Sequence, residues 1–187
     1  MPTITARPAP AYCGVTPRAI FYLELFVIGL LTYLLHEAAH WIAGAAMGLP
    51  MAFHLNGVVL QAPATSGQKA IIDIAGPAVT VLQSLIAYRL VKRHDSIRAF
   101  GFVYMAGFMR IVAGFISFIY LNDEARFSRF LDLPTFAMPL LVGISLFALM
   151  VAASRHLRLG WKTQLGCYLA ASITLAIIVG GDMLMRT

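Results

Sequence analysis

The chain has 187 residues, of which 60% are apolar and only 12% are charged. An ordinary soluble domain has about 45–50% apolar and about 25% charged residues, so this composition excludes a disordered chain and a disulfide scaffold and indicates a compact integral membrane protein. The net charge of +6 does not indicate a nucleic acid partner, because the basic residues are spread over short loops between apolar stretches. The two cysteines, Cys13 and Cys167, lack the spacing of metal ligands.

Five apolar stretches are long enough to cross a lipid bilayer as helices, which requires about 20 residues each. They lie near residues 19–47, 70–91, 98–121, 136–154 and 163–184. The sequence therefore predicts an all-α fold, a polytopic transmembrane helical bundle of about five spans. Residues 1–18 form a Pro-rich tail, and the apolar run after this tail is too long for the hydrophobic region of a cleavable signal peptide. The simple loops and short chain favour the inner membrane of a bacterium as its location.

The segment between the first two spans has a different pattern. In residues 51–61, β-prone residues flank Asn56-Gly57, and this dipeptide is the strongest short signal for a β-hairpin because both turn positions favour a positive φ. We predict a short hairpin beside the membrane, with a compact loop as the alternative. His54 lies in its first strand, where it approaches a substrate or simply occupies the polar face.

The basic residues are distributed unevenly between the two ends of the predicted bundle. Nine of them, Arg7 included, fall at the end that carries the N-terminus, and four, Arg186 included, fall at the other end. Because basic residues collect on the cytoplasmic side of a membrane, this distribution predicts that the N-terminus lies inside and the C-terminus outside.

The first span contains the motif His36-Glu37-Ala38-Ala39-His40. Residues i and i+4 share one face of a helix, so both imidazoles can reach a single metal ion. Glu37 then lies beside the ion, where it can take a proton from a water molecule on the metal, and zinc (Zn²⁺) suits such ligands. Three ionisable groups within five residues of an apolar helix are costly in a membrane, which favours a functional role over a polar cluster that pairs with another helix.

A zinc site of this kind needs a third protein ligand. In a bundle of alternating spans, the end of the first span, the start of the second and the end of the third lie on the same side. This argument leaves Asp123 and Asp73 as candidates. Glu124 is a weaker candidate, because it points about 100° away from Asp123 if the third helix continues.

The motif resembles that of the site-2 protease family of intramembrane zinc metalloproteases (peptidase family M50), in which HExxH lies in a membrane helix and is followed by a hairpin and a Gly-Pro-bearing span. The resemblance covers residues 19–133 and implies a three-span catalytic core. It implies zinc ligation by His36, His40 and Asp123, with Glu37 as the catalytic base. Residues 134–187 then form two accessory spans.

The other two family motifs are matched less closely. The segment Leu121-Asn122-Asp123-Glu124 is similar to the family's aspartate motif, but it lacks the Pro and the Gly of that motif. Residues 74–80 are similar to the Gly-Pro motif, with Thr80 where Asn is common. Substrate contacts are expected from the hairpin and from these two motifs, at His54, Asn56, Gly57, Gly76, Pro77 and Asn122.

Three arginines lie close to this predicted centre. Arg110 falls near the middle of the third span, where an unpaired charge costs several kcal/mol. Pairing with Glu24 or Asp182 is favoured over a role in a water path to the zinc. Arg126 and Arg129 follow Asp123, and they either anchor the chain at the membrane surface or donate hydrogen bonds to the aspartate.

The sequence thus predicts an intramembrane zinc endopeptidase that cleaves a membrane protein in or near a transmembrane segment. The substrate must be extended, because a helix hides its carbonyl groups in internal bonds, and an edge strand of the hairpin can hold it. The alternative is a non-catalytic membrane scaffold of the same fold that binds partner helices, with zinc structural or absent. The family resemblance implies a site nearer the cytosol, whereas the distribution of basic residues places the HEAAH end outside.

Overall fold

The computed structural model describes residues 17–185. Within this range the elements follow in the order α1 (Ile20–Ala46), β1 (Met51–His54), β2 (Gly57–Leu60), α2 (Ser66–His94), α3 (Ile97–Ile116), α4 (Asp123–Phe130), α5 (Ala137–His156) and α6 (Trp161–Met185). The predicted tail 1–18 lies almost entirely outside the described residues, and so do Arg7, Cys13 and Arg186.

All of these helices except α4 are long and apolar enough to cross a membrane, in agreement with the predicted five spans. The chain is a multi-pass membrane protein whose fold is a helical bundle with one small antiparallel hairpin. Four of the five spans begin and end within four residues of their predicted positions.

The third span is shorter than its apolar pattern predicts. α3 ends at Ile116, and residues 118–120 lie in a turn where each of the three apolar side chains is more than 70% exposed. An apolar pattern reports an apolar environment whether or not the backbone is helical, which is why the predicted span was too long. Asp123 therefore does not continue α3. It is the first residue of α4, a separate helix that Asn122 caps by accepting a hydrogen bond from a backbone N–H of the first turn at 2.9 Å.

The hairpin lies between α1 and α2, as predicted. β1 and β2 are antiparallel, and the last pair in their register is His54 with Gly57. The turn is one residue earlier than the Asn-Gly pattern predicts, because Leu55 and Asn56 connect the strands and Gly57 begins β2 with a φ of 148°. Glycine adopts such a φ without steric cost, so the hairpin needs a positive φ at Gly57 and not at Asn56.

The larger apolar core occupies the half of the bundle away from the hairpin. Buried side chains from α1, α2, α3, α5 and α6 pack together there, among them Phe21, Leu25, Phe100, Met105 and Cys167. This core fixes the helices relative to one another at one end. The buried ionisable side chains of α1 and α4 lie towards the other end, beside the hairpin.

The helices α1 and α2 pack through faces of different character. On α2 the buried residues Gly76, Thr80, Ser84 and Ala87 are all small and recur every three or four positions. Small residues allow two membrane helices to approach closely. The space beside this face is filled by longer side chains of α1, and this arrangement creates the candidate site.

Candidate metal centre

The HEAAH motif continues the buried face of α1. Buried residues recur along this helix every three or four positions, through Leu25, Ile28, Thr32, His36 and His40. The two imidazoles therefore share one face and point into the bundle, as their spacing predicts. Both are at least nine-tenths buried.

Each imidazole is held through its Nδ1 atom by a group on α2. His40 Nδ1 lies 2.6 Å from the carbonyl oxygen of Ile72, which can only accept, so the nitrogen donates. His36 Nδ1 lies 2.9 Å from Thr80 Oγ1, and because this hydroxyl donates its own hydrogen to the Gly76 carbonyl at 3.0 Å, it accepts from the histidine. Both rings therefore present Nε2 towards the interior, which is the arrangement found in metal-binding histidines.

Asp123 brings a carboxylate to these two Nε2 atoms. Its Oδ2 lies 3.2 Å from His36 Nε2 and 3.4 Å from His40 Nε2, and the two nitrogens are 3.0 Å apart. Three electron-rich atoms at these distances require positive charge among them, as protons or as a metal ion. In a tetrahedral zinc site with bonds of about 2.0–2.1 Å, neighbouring ligand atoms are about 3.3 Å apart. The three distances fit this value, so the donor set suits a tetrahedral metal ion.

Two arginines flank the Asp123 carboxylate. Arg126 Nη2 donates to Oδ1 at 2.7 Å, and Arg110 Nη1 lies 3.5 Å from Oδ2. Asp123 is therefore an anion at neutral pH, as a metal ligand must be.

Asp73, the other predicted candidate for third ligand, contacts Arg126. Its Oδ1 accepts a hydrogen bond from Arg126 Nε at 2.9 Å and lies 2.8 Å from Nη2. Among the described residues, the group whose ligand atoms all lie within 4.8 Å of one another is His36, His40 and Asp123. Of the two ligand candidates on this side of the bundle, the geometry thus favours Asp123.

The basic residues after Asp123 differ in their surroundings. Arg126 donates to the aspartate, which is one of the two roles predicted for it. Burial by itself would lower the pKa of Arg126, but the hydrogen bond to Asp73 and the charge of Asp123 raise it above its ordinary value. Arg129 is exposed as well, but it has no hydrogen bond to Asp123 or Asp73 among the described contacts, whereas Arg126 binds both.

Arg110 is buried in α3, but its partner is not Glu24. Its Nη1 donates to Glu124 Oε1 at 3.1 Å, and both side chains are more than nine-tenths buried. Glu24 instead accepts hydrogen bonds from Arg98 at 3.0 and 2.7 Å. The predicted pairing with Glu24 is wrong because Glu24 lies near the start of α1, at the opposite end of the bundle. Glu124 faces Arg110 and is not part of the ligand group.

The ion pairs around the site leave an excess of negative charge. Three carboxylates, of Asp73, Asp123 and Glu124, are joined to the two guanidinium groups of Arg110 and Arg126. Unbalanced charge is costly within a membrane-spanning bundle, so this network favours positive charge beside it, either on the rings of His36 and His40 or on a bound cation. The local charge and the donor geometry therefore both fit a divalent metal ion.

Gly76 provides the space that both imidazoles occupy. A Cβ atom at this position would lie 2.6 Å from His36 Cε1 and 2.7 Å from His36 Nε2, and it would be closer still to His40 Nε2. These separations are far inside van der Waals contact, so the rings keep their positions only when residue 76 has no side chain.

A cavity of about 1050 Å³ adjoins the three ligand atoms. Glu37 lines it together with the ligand residues, and its side chain is almost completely buried. Most of the remaining wall is apolar and comes from α3, α6 and the hairpin, including Phe108, Val112, Phe115, Leu175, Val179 and Val58. The cavity has room for a segment of peptide beside the HEAAH motif.

The residues predicted to contact substrate fall into two sets. Asn56, Gly57 and Asn122 line the cavity. The other three, His54, Gly76 and Pro77, are within the described part of the chain but do not line the cavity. Gly76 contacts the histidines instead, and Pro77 is buried within α2.

No family model matches this chain, and neither does any curated protein or solved structure. The fold and the site define its class, a multi-pass helical membrane protein with a buried His–His–Asp group that can hold a metal ion. The resemblance to site-2 proteases therefore rests on the residues of the motifs themselves.

Sequence reasoning missed two supporting features of this site. Thr80 departs from the family pattern, yet its hydroxyl orients His36. The sequence held one signal for this role: Thr80 follows Gly76 by four residues, so both lie on the same face of α2. The partner of Arg110, Glu124, was also missed. It is the first acidic residue after Asp123, and Asp123 was already expected to be a metal ligand.

Proposed function

We propose that this chain is an intramembrane zinc endopeptidase that hydrolyses a peptide bond in or near a transmembrane segment of another membrane protein. The observation that carries the proposal is the convergence of His36 Nε2, His40 Nε2 and Asp123 Oδ2 at the wall of the cavity that Glu37 also lines. Two imidazoles and one carboxylate are a ligand set of zinc hydrolases. When bound, zinc polarises a carbonyl group and lowers the pKa of water to about 7. The short loops favour a bacterial inner membrane.

Glu37 is the catalytic base in this proposal. It follows His36 on α1 and is thus turned about 100° from the ligand face, towards the cavity. Its carboxylate takes one proton from the attacking water and delivers it to the nitrogen of the scissile amide. The C–N bond then breaks, and the products are one new carboxyl terminus and one new amine.

The hairpin supplies a surface on which a substrate can become extended. β1 is joined to α1 by a hydrogen bond from Trp41 Nε1 to the Met51 carbonyl at 3.2 Å. Gly57 and Val58 of β2 line the cavity. A substrate segment that pairs with an edge of this sheet would expose its carbonyl groups to the site, which a helical segment does not do.

The alternative function is a membrane scaffold with a structural metal. It is supported by the way the ligand group connects α1 and α4, since a bound ion would hold these helices together. The two functions differ in what they require of Glu37. A hydrolase needs this carboxylate for turnover but not for metal binding, whereas a scaffold needs it for neither.

The first experiment measures zinc per polypeptide in detergent-purified protein. We expect about one zinc ion in the wild type and in Glu37→Gln, and a large loss in Asp123→Asn because an amide is a poor substitute for a carboxylate ligand. Asp132→Asn is the matched control, since Asp132 is exposed and lies just beyond α4. A wild type without zinc, after controls for loss during purification, would overturn the proposal.

The second experiment measures hydrolysis of a single-span peptide with a Gly-Pro pair in its span and a fluorophore and quencher on either side. The Gly-Pro pair favours local extension of the substrate. We expect cleavage by the wild type and by Asp132→Asn, and a loss of at least about 10²-fold in Glu37→Gln. Zinc binding without any Glu37-dependent cleavage would favour the scaffold.

A further inference from the structure

We propose that Arg126, held by Asp73, is a positioning residue that keeps Asp123 turned with a single oxygen towards the two histidines. This inference rests on the metal site of the proposed function. It assigns a role to Asp73 and Arg126, neither of which is a metal ligand or part of the HEAAH motif.

Arg126 makes hydrogen bonds to three different residues. Its Nη2 donates to Asp123 Oδ1 at 2.7 Å, its Nε donates to Asp73 Oδ1 at 2.9 Å, and its Nη1 donates to the Leu121 carbonyl at 2.8 Å. A planar guanidinium group with fixed donor directions can satisfy such a set, whereas a lysine ammonium is a compact point charge without this fork. The side chain therefore connects α2, the segment before α4 and the carboxylate of α4.

The two oxygens of Asp123 have separate environments. Oδ2 lies 3.2 and 3.4 Å from the Nε2 atoms of His36 and His40, and Oδ1 is bound to Arg126. If Arg126 were removed, Oδ1 would lose its hydrogen bond and only the 3.5 Å contact of Arg110 Nη1 with Oδ2 would remain, so the carboxylate could rotate about its Cβ–Cγ bond or present both oxygens. Arg126 thus favours binding of a metal ion through Oδ2 alone.

Asp73 matters because it belongs to α2, the helix that also orients the histidines. The Ile72 carbonyl binds His40 Nδ1, and Thr80 Oγ1 binds His36 Nδ1. Asp73 acts on the third member of the ligand group through Arg126. The described part of α2 contributes no member of the ligand group, yet it contacts two of its members directly and the third through one arginine.

The segment before α4 explains why such a connection is needed. Residues 117–122 are not helical, and the apolar side chains at 118–120 are highly exposed. The chain therefore reaches Asp123 through a stretch that is not packed in the core. The bond from Arg126 to the Leu121 carbonyl fixes this stretch two residues before the ligand.

The test is metal affinity, measured on purified full-length chain by competition for Zn²⁺ with a chromogenic chelator, together with the visible spectrum of the Co²⁺ form. Removing a group that orients a ligand lowers metal affinity by about 10–100-fold. We expect losses in this range for Arg126→Gln and for Asp73→Asn, with a changed Co²⁺ spectrum. Arg126→Lys keeps the charge but not the fork, and it should also lose affinity. Helicity and elution volume report whether each variant folds.

The matched control is Arg129→Gln, since Arg129 is on the same helix and exposed. Its affinity and Co²⁺ spectrum should equal those of the wild type. The double variant Asp73→Asn/Arg126→Gln should have the same zinc affinity as the single variant with the larger loss, because the two residues act through one connection. Additive losses would overturn the role of Asp73 in holding Arg126.

Three further outcomes separate this inference from the proposed function. Unchanged affinity and spectra in Arg126→Gln and Asp73→Asn would overturn the positioning role, even with Glu37-dependent cleavage intact. Loss of zinc in Asp73→Asn as complete as in Asp123→Asn would also overturn it, because Asp73 would then be a ligand. A wild type that binds zinc but cleaves nothing would overturn the endopeptidase and leave the positioning role standing.

Discussion

Gly76 is the residue on which the positions of the two imidazoles depend most directly. A Cβ atom there would overlap with His36 and lie still closer to His40 Nε2. We expect Gly76→Ala to displace the rings and to lower zinc affinity by at least about 10-fold, in the range seen when groups beside metal ligands are changed. Alanine also favours a helix interior over glycine by roughly 0.5–1 kcal/mol, so the substitution should not weaken α2 itself. Chelator competition measures the affinity.

Gly143→Ala is the control for this substitution. Gly143 is in the interior of α5, and a Cβ atom there would meet nothing within 4 Å. This variant should keep wild-type zinc affinity and equal or slightly higher thermal stability. Equal affinities in Gly76→Ala and the wild type would contradict the steric role of Gly76.

At the scale of elements, α4 is a short helix that depends on its first turn. A helix of 8 residues is not stable by itself, so its cap and its packing decide whether it forms. Asn122 caps it, and Ser128 Oγ accepts a hydrogen bond from the Met138 N–H at 3.0 Å, which attaches α4 to α5. Asp123 lies in the first turn, where the helix dipole favours a negative charge.

We expect Asn122→Ala to destabilise the protein by about 1 kcal/mol and also to lower its zinc affinity. Both effects follow from the loss of the cap, because the first turn carries Asp123. Ser96→Ala is the control, since Ser96 caps α3 in the same way at the other end of the bundle. It should cost similar stability without changing zinc affinity. If both variants lowered affinity equally, the loss would reflect general destabilisation.

The sequence predicts the long elements well because length and apolar pattern determine them. The five spans and the hairpin were predicted close to their observed positions, and the i, i+4 spacing of His36 and His40 placed them on one face of α1. α4 was not predicted, since its 8 residues follow exposed apolar side chains that resemble the end of a span. The contact of Arg126 with Asp123 is local and was one of its predicted roles, whereas the contact of Arg126 with Asp73 joins residues 53 positions apart, and no local pattern specifies it.

At the scale of the whole molecule, the bundle has two halves of different character. The half near the start of α1 is an apolar core with an ion pair between Glu24 and Arg98 at its edge. The half beside the hairpin contains the ligand group and the cavity. Tight packing at one end lets the other end keep a cavity beside buried ionisable side chains without loss of the fold.

These two halves face opposite sides of the membrane, and the basic residues predict which is which. Among the Lys and Arg residues that the structure describes at the two ends, eight belong to the end of the apolar core and three to the hairpin end. Because basic loops remain in the cytoplasm, the hairpin and the metal site should face outwards. The resemblance to site-2 proteases implies the opposite side, so the orientation of the site is a direct test between the two arguments.

We expect Ser66→Cys, beside the hairpin, to react with a membrane-impermeant thiol reagent in intact cells. Gly160→Cys, between α5 and α6, should react with this reagent only after the membrane is permeabilised. Both positions are exposed. Each single-cysteine variant also carries Cys13→Ser, while Cys167 is fully buried and should not react. Equal labelling of both variants after permeabilisation is the control. The reverse pattern in intact cells would place the metal site on the cytoplasmic side and would show that the distribution of basic residues does not determine the orientation of this chain.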